Sequence, residues 1–128
     1  MVLDYFNRPI AYSRLISLLE AHDFGTPAEN IVRLEDLSIG VKVTLPHTDV
    51  HGLHRHLEDD RPVIAFVNTG ALPYWSEATD HAVVVVGMDD DVFYVNDPYF
   101  DQAPQRISRI HFELAWLRFD NLCAVIAV

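Results

Sequence analysis

The chain has 128 residues, of which 50% are apolar and 22% charged, a composition typical of one globular domain rather than of a disordered segment. Its 19 acidic and 9 basic residues give a formal net charge of −10 with histidine neutral. So negative a surface repels nucleic-acid phosphates and anionic membranes, and we expect neither as a partner. The single cysteine excludes an intrachain disulfide and a multi-thiolate zinc site.

The apolar runs of the chain are too short to cross a bilayer, the longest being Ala82–Val86 and Leu122–Val128. Asp4 and Arg8 also interrupt the amino-terminal stretch in which a secretory signal needs an apolar core. We therefore expect a cytoplasmic protein.

The first third of the chain predicts helices. Met1–Phe6 is similar to the last turns of an apolar helix, and a second helix begins at Ser13 and ends near Glu20. A third begins at Thr26, which is followed by proline at the first helical position and glutamate at the third, and it ends at Gly40.

Beyond residue 40 the pattern turns gradually to strands. Residues 41–45 alternate with period two and predict a strand, and 48–59 predict a helix from apolar spacings of three and four. From Pro62 on, we expect four strands, a loop and one more helix: strands at 63–67, 81–88, 92–96 and 121–128, the loop at 68–80 and the helix at 108–117. Helices followed by sequential strands predict an α+β fold with an antiparallel sheet in one domain over residues 1–128.

The strongest chemical signal is His81 at the start of one hairpin strand and Asp97 just past the end of the other. A turn near Asp90 pairs positions whose numbers sum to about 180, so Asp97 lies one diagonal step from His81. A carboxylate in that place fixes the tautomer of the imidazole and stabilises its charged form, as acyl-transfer chemistry requires of a base. A purely structural histidine–aspartate pair fits the same spacing.

The segment His81–Pro98, HAVVVVGMDDDVFYVNDP, resembles the histidine and aspartate blocks of bacteriocin-processing cysteine peptidases. These are papain-like peptidases that remove double-glycine leader peptides, and they have stand-alone relatives. The resemblance implies a papain-like fold with N-terminal helices packed on the antiparallel sheet. It also implies that His81 is the general base, that Asp97 orients it, that the substrate is a peptide or leader peptide, and that no cofactor is needed.

The nucleophile is the point of departure from that family. There, a cysteine lies at the start of the first helix and a glutamine a few residues earlier completes the oxyanion hole. Met1–Pro9 resembles only the second half of that helix, so we expect the chain as given to lack the nucleophile and to be inactive. A misassigned start, a trimmed chain and a natural remnant remain alternatives. The uncovered packing face predicts a homodimer, or else disorder of residues 1–8.

Cys123 is a poor substitute for that nucleophile, because its apolar surroundings predict a buried strand with an inert thiol. Tyr74, Trp75 and Tyr99 flank the histidine–aspartate pair in sequence and are candidates for a peptide groove, with ordinary packing over the sheet as the alternative.

Two further functions are compatible with the sequence. The first is a degenerate peptidase that binds a peptide or leader without chemistry. The second, weaker, is metal binding through His47, His51 and His54, whose spacing suits one helix face. A solvated helix face explains that spacing as well, and we expect no metal centre.

Overall fold

The structure, a computed structural model, describes residues 42–127, with the side chain of Ala127 left aside. The helices predicted at 1–6, 13–20 and 26–40 lie outside the described residues. The resemblance of Met1–Pro9 to the second half of the first helix and the alternative of disorder in residues 1–8 concern the same undescribed part of the chain. The prediction that residues 1–128 form one domain therefore stays a prediction.

The described residues form one antiparallel sheet with the order β1-β6-β2-β3-β4-β5. Its six strands are β1 (Lys42–Thr44), β2 (Val63–Asn68), β3 (Asp80–Met88), β4 (Val92–Asn96), β5 (Gln105–Ser108) and β6 (Cys123–Ala127). In the sheet, the last strand of the chain, β6, lies between β1 and β2 and pairs with both. Residues far apart in the chain are therefore neighbours in the sheet.

Two helices accompany this sheet, α1 (Val50–Glu58) and α2 (Arg109–Leu117). Each begins at a residue whose side chain caps it: the Asp49 carboxylate accepts from the Gly52 N–H, and the Ser108 hydroxyl accepts from the His111 N–H. Neither is long and apolar enough to cross a membrane, and no helix in residues 42–127 is.

The core lies between one face of the sheet and these two helices. Alternate residues of β2 are buried, as the period of two predicts for a strand with one covered face. Phe112 of α2 stacks on Phe93 of β4 with ring centroids 4.3 Å apart, and Trp116 and Leu53 bring both helices into the same cluster. The structure therefore has the predicted α+β character.

Most predicted element positions agree with the structure, and the differences have local causes. The helix predicted from residue 48 begins at Val50, because Asp49 rather than Thr48 provides the cap. The short strand β5 was not predicted, since it has four residues and follows directly on Pro104. In β3, Val86 is 45% exposed beside a break in register, whereas the three valines before it are buried.

The turn between β3 and β4 is organised by one carboxylate. Asp89 Oδ1 accepts from the backbone N–H groups of Asp91 and Val92, and its Oδ2 accepts from the Tyr94 hydroxyl. The first of these hydrogen bonds lowers the pKa of the Asp89 carboxyl most, and the others add to it. This solvated turn sets where the two strands of the hairpin begin to pair.

Candidate active site

The hairpin of β3 and β4 brings His81 and Asp97 to the same face of the sheet. Val85 lies opposite Val95 and Val84 opposite Asn96, which is the predicted register. Continuing that register by one residue sets Val83 opposite Asp97, just past the end of β4. His81 is one further step along that face, and it therefore lies diagonally across from Asp97. Both positions continue rows of buried core residues to the end of the hairpin.

The two side chains are in direct contact. His81 Nε2 is 2.7 Å from Asp97 Oδ1, as the hairpin register predicts. The Asp97 side chain is 0% exposed and that of His81 is 19% exposed, so the pair is open to solvent only on the imidazole side. Among the described residues, the other ring nitrogen, Nδ1, has no hydrogen-bond partner.

Asp97 accepts four hydrogen bonds, two at each oxygen. Oδ1 accepts from His81 Nε2 and, at 3.0 Å, from the Tyr99 backbone N–H. Oδ2 accepts from the Tyr74 hydroxyl and from Trp75 Nε1, both at 2.9 Å. Burial raises the pKa of the Asp97 carboxyl, but the hydrogen bonds, led by those from Trp75 and His81, outweigh burial and hold this pKa below its usual value.

An ionised carboxylate only accepts hydrogen bonds, so Nε2 must carry the hydrogen in the contact between His81 and Asp97. In the neutral imidazole, Nδ1 is then the nitrogen with a free lone pair. This is the tautomer in which a histidine can take a proton at Nδ1 while the carboxylate stabilises the resulting charge.

The loop between β2 and β3 carries the two donors to Oδ2. It is closed at its base by Thr69, which is 1% exposed: its hydroxyl donates to the Glu77 carbonyl at 2.6 Å and accepts from the Thr79 N–H at 2.8 Å. The Asn68 side chain caps the Gly70 N–H in the short 3₁₀ turn that follows β2. These bonds fix the course of the loop that reaches over Asp97.

An aromatic cluster surrounds the pair. The Trp75 ring lies 4.9 Å from the His81 ring and 4.8 Å from the Tyr99 ring, and Phe100 meets Trp75 edge-on at 5.3 Å. Burial and the hydrogen bond to Asp97 raise the pKa of the Tyr74 hydroxyl, which therefore stays a donor. Tyr99 is 71% exposed and presents an aromatic surface to solvent.

These contacts give the three aromatic candidates different surroundings. The polar atoms of Tyr74 and Trp75 are occupied by Asp97, a role that the sequence did not predict. The sequence offered both residues as candidates for a peptide groove, with packing over the sheet as the alternative. The position of Tyr74 and Trp75 in a loop close in sequence to His81 hinted at this contact, but the sequence alone does not show how that loop folds. Tyr99 remains the exposed member of the set, and peptide binding by any of the three stays a prediction.

Cys123 lies in the sheet, away from the pair. It is 0% exposed, pairs with Ala65 of β2, and its Sγ is 3.6 Å from the Pro46 carbonyl oxygen. Burial raises the pKa of its thiol to about 11. Because β2 separates β6 from β3, the backbones that carry the thiol and the imidazole lie at least about 10 Å apart by strand spacing. Its surroundings are those of an inert core thiol.

The structure does not gather the histidine cluster into a metal centre. His47 precedes α1 and its Nδ1 is 2.7 Å from the Asp120 carbonyl oxygen, so it does not share a helix with His51. His54 Nδ1 is 3.4 Å from the carboxylate of Glu58, one turn further along α1. Within residues 42–127, no three histidine, cysteine, aspartate or glutamate side chains are placed to hold a metal ion.

Comparison with known proteins points to one family. No curated protein matches the chain. Among solved structures, a protein assigned as a C39-like peptidase from Bacillus anthracis aligns with a TM-score of 0.80 and 15% identity, covering 99% of this chain and 84% of that one.

A second similar structure is the peptidase domain of Streptococcus ComA, a bifunctional ABC transporter of a quorum-sensing pathway. It aligns with a TM-score of 0.72 and 22% identity over 98% of this chain and 84% of that one. At these identities the two structures establish the fold. The family model of the peptidase C39-like family matches residues 1–124, and the chain therefore belongs to the peptidase C39-like family.

Proposed function

We propose that this chain is a cysteine-peptidase-like domain in which His81 and Asp97 form the acid–base half of the site. The observation that carries the proposal is the 2.7 Å contact between Nε2 of His81 and a fully buried carboxylate. His81 would take a proton at Nδ1 and return it to a leaving amine. Asp97 would hold the ring in the productive tautomer and stabilise the imidazolium.

The thiolate that such a pair serves does not come from Cys123. A thiol with a pKa of about 11 is almost entirely protonated near neutral pH, and this one lies in a buried strand two positions across the sheet from β3. Cys123 is the single cysteine of the sequence. We therefore propose that the polypeptide of residues 1–128 does not by itself hydrolyse peptide bonds.

The acid–base role can be tested without a resident nucleophile. A small exogenous thiol is supplied together with an activated ester of a double-glycine leader peptide, and thiolysis is followed by release of the leaving group. If His81 acts as the base, the chain accelerates thiolysis about 100-fold, at the lower end of what a positioned general base contributes. The acceleration disappears in His81→Ala.

His54→Ala is the matched control, because His54 also lies beside a carboxylate but on the exposed face of α1. It should leave the rate unchanged. Equal thiolysis by the unmodified chain and His81→Ala would contradict the acid–base role. Rapid alkylation of Cys123 in the native protein would contradict the exclusion of that thiol.

A second candidate function is peptide binding without chemistry, and the aromatic surface favours it. Tyr99 is 71% exposed and its ring lies against Trp75, which in turn contacts His81, so an exposed aromatic ring lies at the edge of the site. Titration with the unactivated leader peptide, followed by calorimetry, measures this binding. Tyr99→Ala should weaken it, whereas binding without accelerated thiolysis would identify the chain as a binding module.

A further inference from the structure

We infer that Tyr74 and Trp75 are positioning residues, which together hold one oxygen of Asp97 so that the other faces His81. The inference rests on the proposed function, because it assigns these residues to the acid–base pair. It separates them from Tyr99, although all three belong to one aromatic cluster.

The Asp97 carboxylate needs a contact other than the one with His81 to hold it in one orientation. The two oxygens of an aspartate are chemically equivalent, and rotation about its last side-chain bond is soft. A histidine alone would therefore leave the carboxylate free to turn. Here Oδ2 is held at 2.9 Å by two donors, the hydroxyl of Tyr74 and the indole N–H of Trp75, which fixes Oδ1 on the side of His81.

Both groups that contact Oδ2 of Asp97 are hydrogen-bond donors. An indole N–H can only donate, and the Tyr74 hydroxyl beside an ionised carboxylate donates as well. Neither group competes with His81 for a proton, so both favour the ionised carboxylate. Removing either leaves Oδ2 with one hydrogen bond fewer in a site closed to water, since Asp97 itself is 0% exposed at its side chain.

The loop that holds Tyr74 and Trp75 is anchored in the core. Tyr74 and Trp75 are neighbours in a segment whose base is closed by the two hydrogen bonds of buried Thr69. The backbone N–H of Trp75 also donates to the Leu72 carbonyl at 3.2 Å, and Leu72 is 2% exposed. The donors thus reach Asp97 from a segment anchored in the core, and the Trp75 ring also contacts the imidazole, with ring centroids 4.9 Å apart.

Tyr74→Phe, Trp75→Phe and the double variant test this inference, because they remove the donor while keeping an aromatic ring. Tyr99→Phe is the control, since its ring belongs to the same cluster but its contact with Asp97 uses the backbone N–H. Carbon-13 NMR of the Asp97 carboxyl follows its titration. Proton NMR follows the hydrogen on Nε2 of His81 and its exchange with water, which a merely structural loop residue would leave unchanged.

We expect the pKa of the Asp97 carboxyl to rise in both single variants, more in Trp75→Phe than in Tyr74→Phe, because the indole bond lowers it more. We expect exchange of the Nε2 hydrogen to become about tenfold faster in the double variant and to stay unchanged in Tyr99→Phe. If the folded double variant keeps both the titration and the exchange rate of the unmodified chain, the positioning role is wrong.

Should the double variant fail to fold, the single variants decide the same question. These measurements need neither thiol nor peptide. Unaccelerated thiolysis with a positive NMR result would therefore remove the proposed function, whereas the reverse pattern would remove only the positioning role.

Discussion

Replacing Asp97 by asparagine tests the hydrogen-bond arrangement most directly. The amide oxygen can accept from two donors, but the amide nitrogen must take the place of either Oδ1 or Oδ2. In the place of Oδ2 it faces Trp75 Nε1, and in the place of Oδ1 it faces the Tyr99 backbone N–H. Tyr74 can rotate its hydroxyl and His81 can change tautomer, but neither of those N–H groups can become an acceptor.

Each orientation of the asparagine therefore leaves one buried donor without an acceptor, at a cost of about 1–3 kcal/mol. The remaining three hydrogen bonds lose the assistance of the charge, which adds roughly 1–2 kcal/mol in total. Removing a buried charge returns part of this, since an ionised group is costly to desolvate. We expect the free energy of unfolding to fall by about 2–4 kcal/mol.

Urea unfolding at pH 7, followed by circular dichroism, measures this change. Asp89→Asn is the matched control, because Asp89 also accepts three hydrogen bonds but lies in an exposed turn in which water replaces a lost partner. Its effect should be much smaller. If the two variants shift the unfolding midpoint equally, the reasoning from orphaned donors is refuted.

Three further measurements follow from the same contacts. The pKa of Asp97 in the folded chain lies below its usual 3.8. The ionised carboxylate therefore stabilises the fold above about pH 4, and this contribution is lost as the pH falls through the folded-state pKa. Acid unfolding of Asp97→Asn should lack this pH dependence. Burial, and after it two neighbouring arginines, lowers the pKa of His56 from its usual 6.5, so the unfolded chain binds more protons than the folded chain below that pH. The free energy of unfolding should therefore fall on acidification below pH 6.5, and it should fall less steeply in His56→Gln. Thr69→Val leaves the Thr79 N–H without its acceptor and should lower the free energy of unfolding by about 1–3 kcal/mol in the urea assay.

The hairpin and its pair were predictable because both depend on local periodicity. Two apolar strands joined by a short acidic turn have few alternative registers, and the period of two then assigns each residue to a face. Asp97 follows Phe93 and Val95 on the buried face, so its contact with His81 needed no knowledge of the rest of the fold.

The donors to Asp97 were not predictable in the same way. Tyr74 and Trp75 are separated from Asp97 by 23 and 22 positions, and their contact depends on how an irregular loop crosses the end of the hairpin. That course is set by Thr69, a residue whose sequence context does not distinguish a buried loop anchor from a surface threonine.

The histidine spacing left a shared helix face open for a related reason. A spacing of four residues from His47 to His51 suits one helix face only if both residues are helical, and the cap at Asp49 excludes the first of them. A capping carboxylate thus decided a question that the spacing alone left open.

An acid–base pair and a structural pair predict different effects on stability, because the hydrogen bonds of the two side chains are unequal. Asp97 is saturated by four donors, three of which remain when His81 is absent, so the imidazole is not what makes the buried carboxylate tolerable. His81→Ala removes one charge-assisted hydrogen bond from a partly exposed ring and should cost about 1–2 kcal/mol, less than Asp97→Asn. It should at the same time abolish the accelerated thiolysis. A structural pair would instead make His81→Ala as destabilising as Asp97→Asn, and urea unfolding of the two variants side by side decides between them.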